Sequence, residues 1–162
     1  RARRGRAASG TLPAVSRRGQ IVMSDEEVDD LLAASRTVTC ATIGRDGRPH
    51  LMPLWYVVRS GTLWAWTYAK SQKVRNLERD ARCTLQVETG DSYDQLRGVM
   101  LKAEAVIDRE HVLELGVEIF ERHTGAPVDP EHLRGQAAKR VGLQFVVRSV
   151  ASWDHRKLGG VY

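Results

Sequence analysis

Leu63-Trp64-Ala65-Trp66-Thr67-Tyr68-Ala69-Lys70-Ser71-Gln72-Lys73-Val74-Arg75-Asn76-Leu77 reads as an apolar strand, a tight basic turn and the opening of a helix. The strand period of two puts Trp64 and Trp66 on one face and Ala65 on the other. Ser71 is of the residue type that caps a helix through its hydroxyl, and Lys73 follows in the first turn. Unpaired backbone N–H groups at a helix start attract anions, whereas a lysine there opposes the helix dipole. A strand with two indoles beside a cationic helix start therefore suits a planar ring joined to a phosphate. Core packing accounts for Trp64 at least as well; for Lys73 a solvated helix residue is the alternative, but a cation placed against the helix dipole asks for an anion nearby.

Strand patterns surround this segment. Ser24-Asp25-Glu26-Glu27 is a capping box, and Val28, Leu31 and Leu32 share a stripe, which predicts a helix from about 25 to 35. Thr37 to Ile43 and Pro49 to Arg59 read as strands around a Gly44-Arg45-Asp46-Gly47 turn, and Ser60-Gly61 connects to a third strand, Thr62 to Thr67. After the Ser71 to Asp80 helix come strands over Arg82 to Thr89 and Arg97 to Ile107. Asp108 is placed to cap a helix carrying Val112, Leu115, Ile119 and Phe120, broken by Gly125 and Pro127, and a weaker helix follows Asp129. Val141 to Ala151 is nearly continuous in apolar residues, as a strand covered on both faces would be. The order β-β-β-α-β-β-α-α-β, with hairpin-length connections, predicts a mainly β fold, an antiparallel barrel with flanking helices. No Gly-x-Gly-x-x-Gly follows a strand, so a Rossmann nucleotide site has no support.

The 162 residues suffice for one domain with an ordinary core. The formal charge of +5 belongs to one end: six of the 25 basic residues precede Met23 with no acid among them, leaving 19 against 20 acidic residues. The expected division is a basic, disordered extension over 1–22 and a folded domain over 23–162. The extension could be a nucleic-acid or anionic-surface arm, a targeting segment, or translated sequence ahead of a start at Met23; it lacks the apolar run of a secretory signal. Nucleic acid is disfavoured as a partner because the body is not basic.

Cys40 and Cys83 each stand alone in a strand-like run, so buried thiols are expected, with no metal site and no disulfide. No apolar stretch approaches the roughly 20 residues that span a bilayer, and a soluble, cytoplasmic protein is expected. His111, His123 and His132 read as ordinary surface groups on or beside helices.

Several pieces, in this order and spacing, resemble the split β-barrel flavin and deazaflavin oxidoreductases related to pyridoxamine 5′-phosphate oxidase. They are Asp46-Gly47-Arg48-Pro49-His50, Trp66-Thr67, Ser71-Gln72-Lys73, Arg75-Asn76-Leu77 with Asp80, and Trp153-Asp154-His155-Arg156-Lys157-Leu158. The resemblance covers roughly Asp25 to the C-terminus and implies an FMN-binding-like split antiparallel barrel that forms a homodimer. It implies that Ser71, Gln72 and Lys73 hold the cofactor phosphate, that Trp66 and Thr67 flank the ring or ribityl chain, and that His50, Leu51, Met52 and Pro53 form its bed. Asn76 would reach toward the phosphate or tail, and Trp153 and His155 of one chain would close over the ring bound by the other.

Where the oxidase pattern resembles Ser-Arg-Lys, this chain has Ser71-Gln72-Lys73, and it has no basic cluster matching a pyridoxal phosphate site. Arg75-Asn76-Leu77 and the terminal Trp-Asp-His look more like the branch that uses coenzyme F420, whose longer acidic tail Lys70, Lys73 and Arg79 would screen. The resemblance thus implies an F420-dependent reductase passing hydride to an unsaturated or quinone-like small molecule. The alternatives are an FMN oxidase or reductase, and a non-catalytic flavin or haem carrier. No catalytic residue is assigned; a proton would come from Tyr56, Tyr68, His155 or solvent.

Overall fold

A computed structural model describes residues 16–160. In chain order the elements are α1 (Arg17–Gln20), α2 (Asp25–Ala34), β1 (Thr37–Ile43), β2 (Pro49–Arg59), β3 (Thr62–Tyr68), α3 (Gln72–Arg79), β4 (Arg82–Thr89), β5 (Arg97–Asp108), α4 (Val112–Thr124), α5 (Pro130–Ala137) and β6 (Arg140–Asp154). All six strands pair antiparallel, in the cyclic order β1-β2-β3-β6-β5-β4 with β4 returning to β1. The barrel expected to be split is therefore closed as a ring, and its opening is confined to one seam described below.

Local chemistry explains the joints. Ser60 and Gly61 both take positive φ, 48° and 75°, which a two-residue hairpin between right-twisted strands requires. The capping box of α2 is complete, with Glu27 N–H donating to Ser24 Oγ and Ser24 N–H to Glu27 Oε2. The other end of α2 is capped from a distance: Arg122 donates to the carbonyls of Leu32, Ala33 and Ser35 at 2.9, 2.8 and 2.6 Å. β6 runs three residues beyond the expected Ala151, because its far end pairs with the start of β5, up to Asp154 opposite Arg97.

Two cores result. The barrel interior is filled by alternate strand residues, among them Val38, Cys40, Tyr56, Leu63, Ala65, Leu85, Val99, Leu143 and Phe145. Outside the β2–β3 wall, Val112, Leu115 and Ile119 of α4 pack on Val57 and Trp66, with Ala137 of α5. Full burial of such side chains contributes about 1.5–3 kcal/mol each. Gly116 sets the depth of α4, since a Cβ there would stand 2.5 Å from the Trp66 ring.

Ile21 and Val22 tie the segment before Met23 to the barrel. Ile21 O accepts from Asp154 N–H at 2.7 Å, and Lys157 Nζ donates to Val22 O at 2.8 Å. The expectation of disorder over 1–15 concerns positions outside the described residues. Cys40 and Cys83 are buried free thiols, as expected. Among the described residues no His, Cys, Asp and Glu group could hold a metal, and no helix is long and apolar enough to cross a membrane.

Candidate functional site

β2 and β3 stay paired only from Arg59↔Thr62 to Tyr56↔Ala65. Beyond that point residues 49–55 of β2 remain with β1, and residues 66–68 of β3 remain with β6. The two strands part, and the wedge between them is the seam. Tyr56 N–H donates across to Arg36 O at 3.4 Å, which sets the phase of the ladder. By antiparallel alternation, the peptide groups of Leu51 and Trp55 then turn toward the seam, as does that of Trp66 from the other side. Pro53 sits between them and has no N–H to leave unpaired.

Pro53, Leu54, Trp55, Trp66, Thr67, Lys73, Phe120 and Arg140 line a cavity of about 370 Å³ in this wedge. Lys73 is 6% exposed, and its Nζ donates to Thr67 Oγ1 at 2.8 Å. It is therefore not the solvated helix residue that its sequence position allowed. Burial above all lowers the Lys73 pKa, and the charge of Arg140 adds to this. The Arg140 guanidinium lies 4.4 Å from the Trp66 ring and 4.2 Å from the Tyr68 ring, and its buried Nε has no hydrogen-bond partner. Among the described residues no carboxylate lines the cavity.

The expected site residues fall into three groups. Pro53, Trp66, Thr67 and Lys73 meet at the cavity, and His50, Leu51 and Met52 continue along the same parted strand. Leu51 and Met52 are 57% and 41% exposed, an apolar edge left open by the described residues. Ser71, Gln72 and Asn76 form the second group at the start of α3. Ser71 occupies the cap position but makes no side-chain cap bond, contrary to the sequence reading; its buried Oγ is without a partner. Asn76 does not turn outward either. It is fully buried, donating to Thr42 Oγ1 at 3.0 Å and accepting from Gln72 Nε2 at 2.9 Å, so it ties α3 to β1 and orients Gln72.

Trp153 and His155 form the third group and lie elsewhere in the chain. Trp153 pairs with Gly98 and its ring covers that glycine, while His155 meets Tyr93 edge-on at 4.4 Å. From Arg140 to Trp153, β6 runs for roughly 40 Å of strand contour. Neither residue reaches the seam of its own chain. Of the three candidate proton donors, Tyr56 is sealed in the core with its O–H donating to Leu32 O at 2.7 Å, and burial pushes its pKa up to about 12. Two histidines also differ from expectation: His111 Nδ1 is 3.0 Å from Asp108 Oδ2, and His123 stacks on Trp55 at 3.9 Å.

Arg140, Trp55 and Phe120 were not among the expected site residues. Trp55 lies two residues beyond Pro53 on β2 and was within reach of the period-two pattern. Arg140 becomes a neighbour of Trp66 only through the β3–β6 register, which pairs Tyr68 with Arg140 across about seventy residues of chain.

A closed antiparallel barrel with one parted seam and helices laid on its wall is the fold of flavin- and deazaflavin-binding oxidoreductases. The pyridoxamine 5′-phosphate oxidase family profile matches residues 24–154, and the chain belongs to this family. A conserved hypothetical protein from Mycobacterium tuberculosis, Rv2991, is 46% identical, covers 88% of this chain and 92% of its own, and superposes with a TM-score of 0.82. At 20% identity the likeness is one of fold: an F420 reductase has a TM-score of 0.66 over 78% of this chain and 98% of its own. A FAD-binding protein from Mesorhizobium loti, also 20% identical, has a TM-score of 0.63 over 81% and 94%. No curated protein matches the chain.

Proposed function

We propose that this chain is an oxidoreductase that binds a flavin-type cofactor in the seam between β2 and β3, with FMN the first candidate. The single observation that carries this reading is the seam itself: a cleft with free peptide edges on both sides, a buried ammonium at its end and no acid in its lining. The donor set fits such a group. Leu51 and Trp55 offer peptide edges to a ring with alternating donors and acceptors, Lys73 Nζ offers a cation to its phosphate, and Ser71 Oγ, two residues earlier in the chain, is buried without a partner. Family membership supports FMN over the deazaflavin.

Coenzyme F420 is the second reading, favoured by one feature. Arg45, Gln72, Arg75, Glu78 and Arg79 line a hollow of about 640 Å³ beside the helix start, suited to a longer acidic tail. A reduced flavin or deazaflavin, when bound, supplies hydride to an electron-poor double bond or quinone-like acceptor. The chain's own part is to fix the ring face and exclude water. Trp55 and Phe120, 5.8 Å apart edge to face, wall the cavity on the side away from the barrel core. The exposed apolar residues Leu51, Met52, Trp55 and Val150 favour a homodimer, in which Trp153 and His155 of a second copy would approach the ring.

Titration with FMN and with F420, followed by their fluorescence, tests the reading. Saturable binding of one of them and its enzymatic reoxidation by a quinone are expected. Binding without turnover would leave a carrier, and failure to bind either would overturn the proposal.

A further inference from the structure

We propose that Arg140 is a second anion-binding group of the seam, gripping a phosphoryl group together with Lys73. This rests on the flavin reading for the identity of the ligand, but the geometry behind it does not. Lys73 and Arg140 line one cavity, the charge of Arg140 acts on the Lys73 ammonium, and among the described residues no carboxylate shares that lining. Two cations brought together out of water repel, and the fold tolerates the cost only where something else offsets it. Other arginines have oxygen partners: Arg59, Arg109, Arg148 and Arg156 pair with Glu118, Glu78, Glu104 and Asp154, and Arg122 donates to backbone carbonyls.

The orientation of Arg140 gives the class of ligand. Trp66 and Tyr68 project from the same face of β3, and both rings lie within 4.4 Å of the guanidinium carbon. Ring contacts of this kind use the faces of the guanidinium plane and leave its N–H edge unspent. That edge includes the buried Nε without a partner. A rigid fork held by its faces is suited to bidentate recognition of an oxyanion, whereas Lys73 supplies a point charge from the barrel side. A purely packing role would be served as well by an apolar side chain, without placing a charge beside Lys73.

FMN and riboflavin differ only by the phosphate, so the ratio of their dissociation constants isolates anion recognition. In fluorescence titrations the parent is expected to favour FMN, and Arg140→Met to reduce that preference by about tenfold or more while riboflavin binding holds. Arg140→Lys, which keeps a charge but not the fork, should fall between and guards against a folding defect in the methionine variant. An unchanged FMN-to-riboflavin ratio, or equal weakening of both ligands, would overturn the proposal in favour of a packing role. If the parent binds neither flavin, the flavin reading fails separately, and inorganic pyrophosphate decides the anion site. A rise in parent melting temperature that Arg140→Met abolishes upholds it, and no rise in the parent overturns it.

Discussion

The two halves of β2 are made from similar residues and end in opposite circumstances. From Tyr56 to Arg59 the strand is paired with β3 and roofed by α4; from Pro49 to Trp55 it is paired with β1 alone, its other edge faces the seam, and it is largely bare. Hydrophobicity does not separate them, because Leu51, Met52, Pro53 and Trp55 are as apolar as Tyr56, Val57 and Val58. The separation comes from β3, which follows β2 up to Ala65 and then stays with β6 as the chain turns into α3. The two halves of β2 hold different neighbours, and only beside the Pro49 to Trp55 half does the parting of β3 leave a seam.

That contrast can be broken at either half. The largest effect is expected from Lys73→Met, which should weaken binding of the proposed FMN by about 100-fold, the worth of a buried charge-assisted contact to phosphate. Because the ammonium has no carboxylate near it, the same substitution should leave the melting temperature unchanged or raise it. Retained affinity in a fluorescence titration would remove Lys73 from the site. In the closed half, Gly116→Ala drives a methyl into Trp66 and should cost about 1–3 kcal/mol in denaturant unfolding. A neutral result would mean that α4 is not seated as tightly as the packing implies.

Smaller effects mark the limits of each region. Tyr56→Phe removes the bond to Leu32 O and should cost about 1 kcal/mol. Ultraviolet titration of the parent should show one tyrosine ionising at about 12, absent from the variant. The smallest concerns His111, remote from the seam and fully exposed, whose pKa is raised chiefly by its hydrogen bond to Asp108. A raised histidine stabilises the fold below its unfolded value of 6.5 and loses that contribution as pH rises through the folded value. His111→Gln should remove this shallow slope from the pH dependence of melting without affecting flavin binding. An NMR titration placing the parent His111 at or below 6.5 would contradict the pairing.

The strand and helix order was legible because each element carries its own local signal: the capping box at Ser24, the apolar stripe from Val112 to Phe120, the Ser60-Gly61 hairpin. Lys73 was legible through the turn and helix in which it stands, and Thr67 only through the family resemblance. What escaped depends on contacts between distant segments. Asn76 bonds to Thr42 across 34 residues, and Arg122 caps a helix some 90 residues upstream. The hydroxyl of Ser71 fits the cap rule by sequence, yet it makes no cap bond, while Lys73 of the same helix start turns inward to Thr67. Arg140 gives no local signal, since it opens an apolar strand after a weak helix.

Amide hydrogen exchange with and without saturating FMN tests the central claim most directly, because it reads the seam's own peptide groups. The account predicts slowed exchange at Leu51, Trp55 and Trp66, with Tyr56 to Arg59 unchanged. Protection confined to other segments, such as the Tyr93 and His155 end of the barrel, with no change at those three amides, would contradict it.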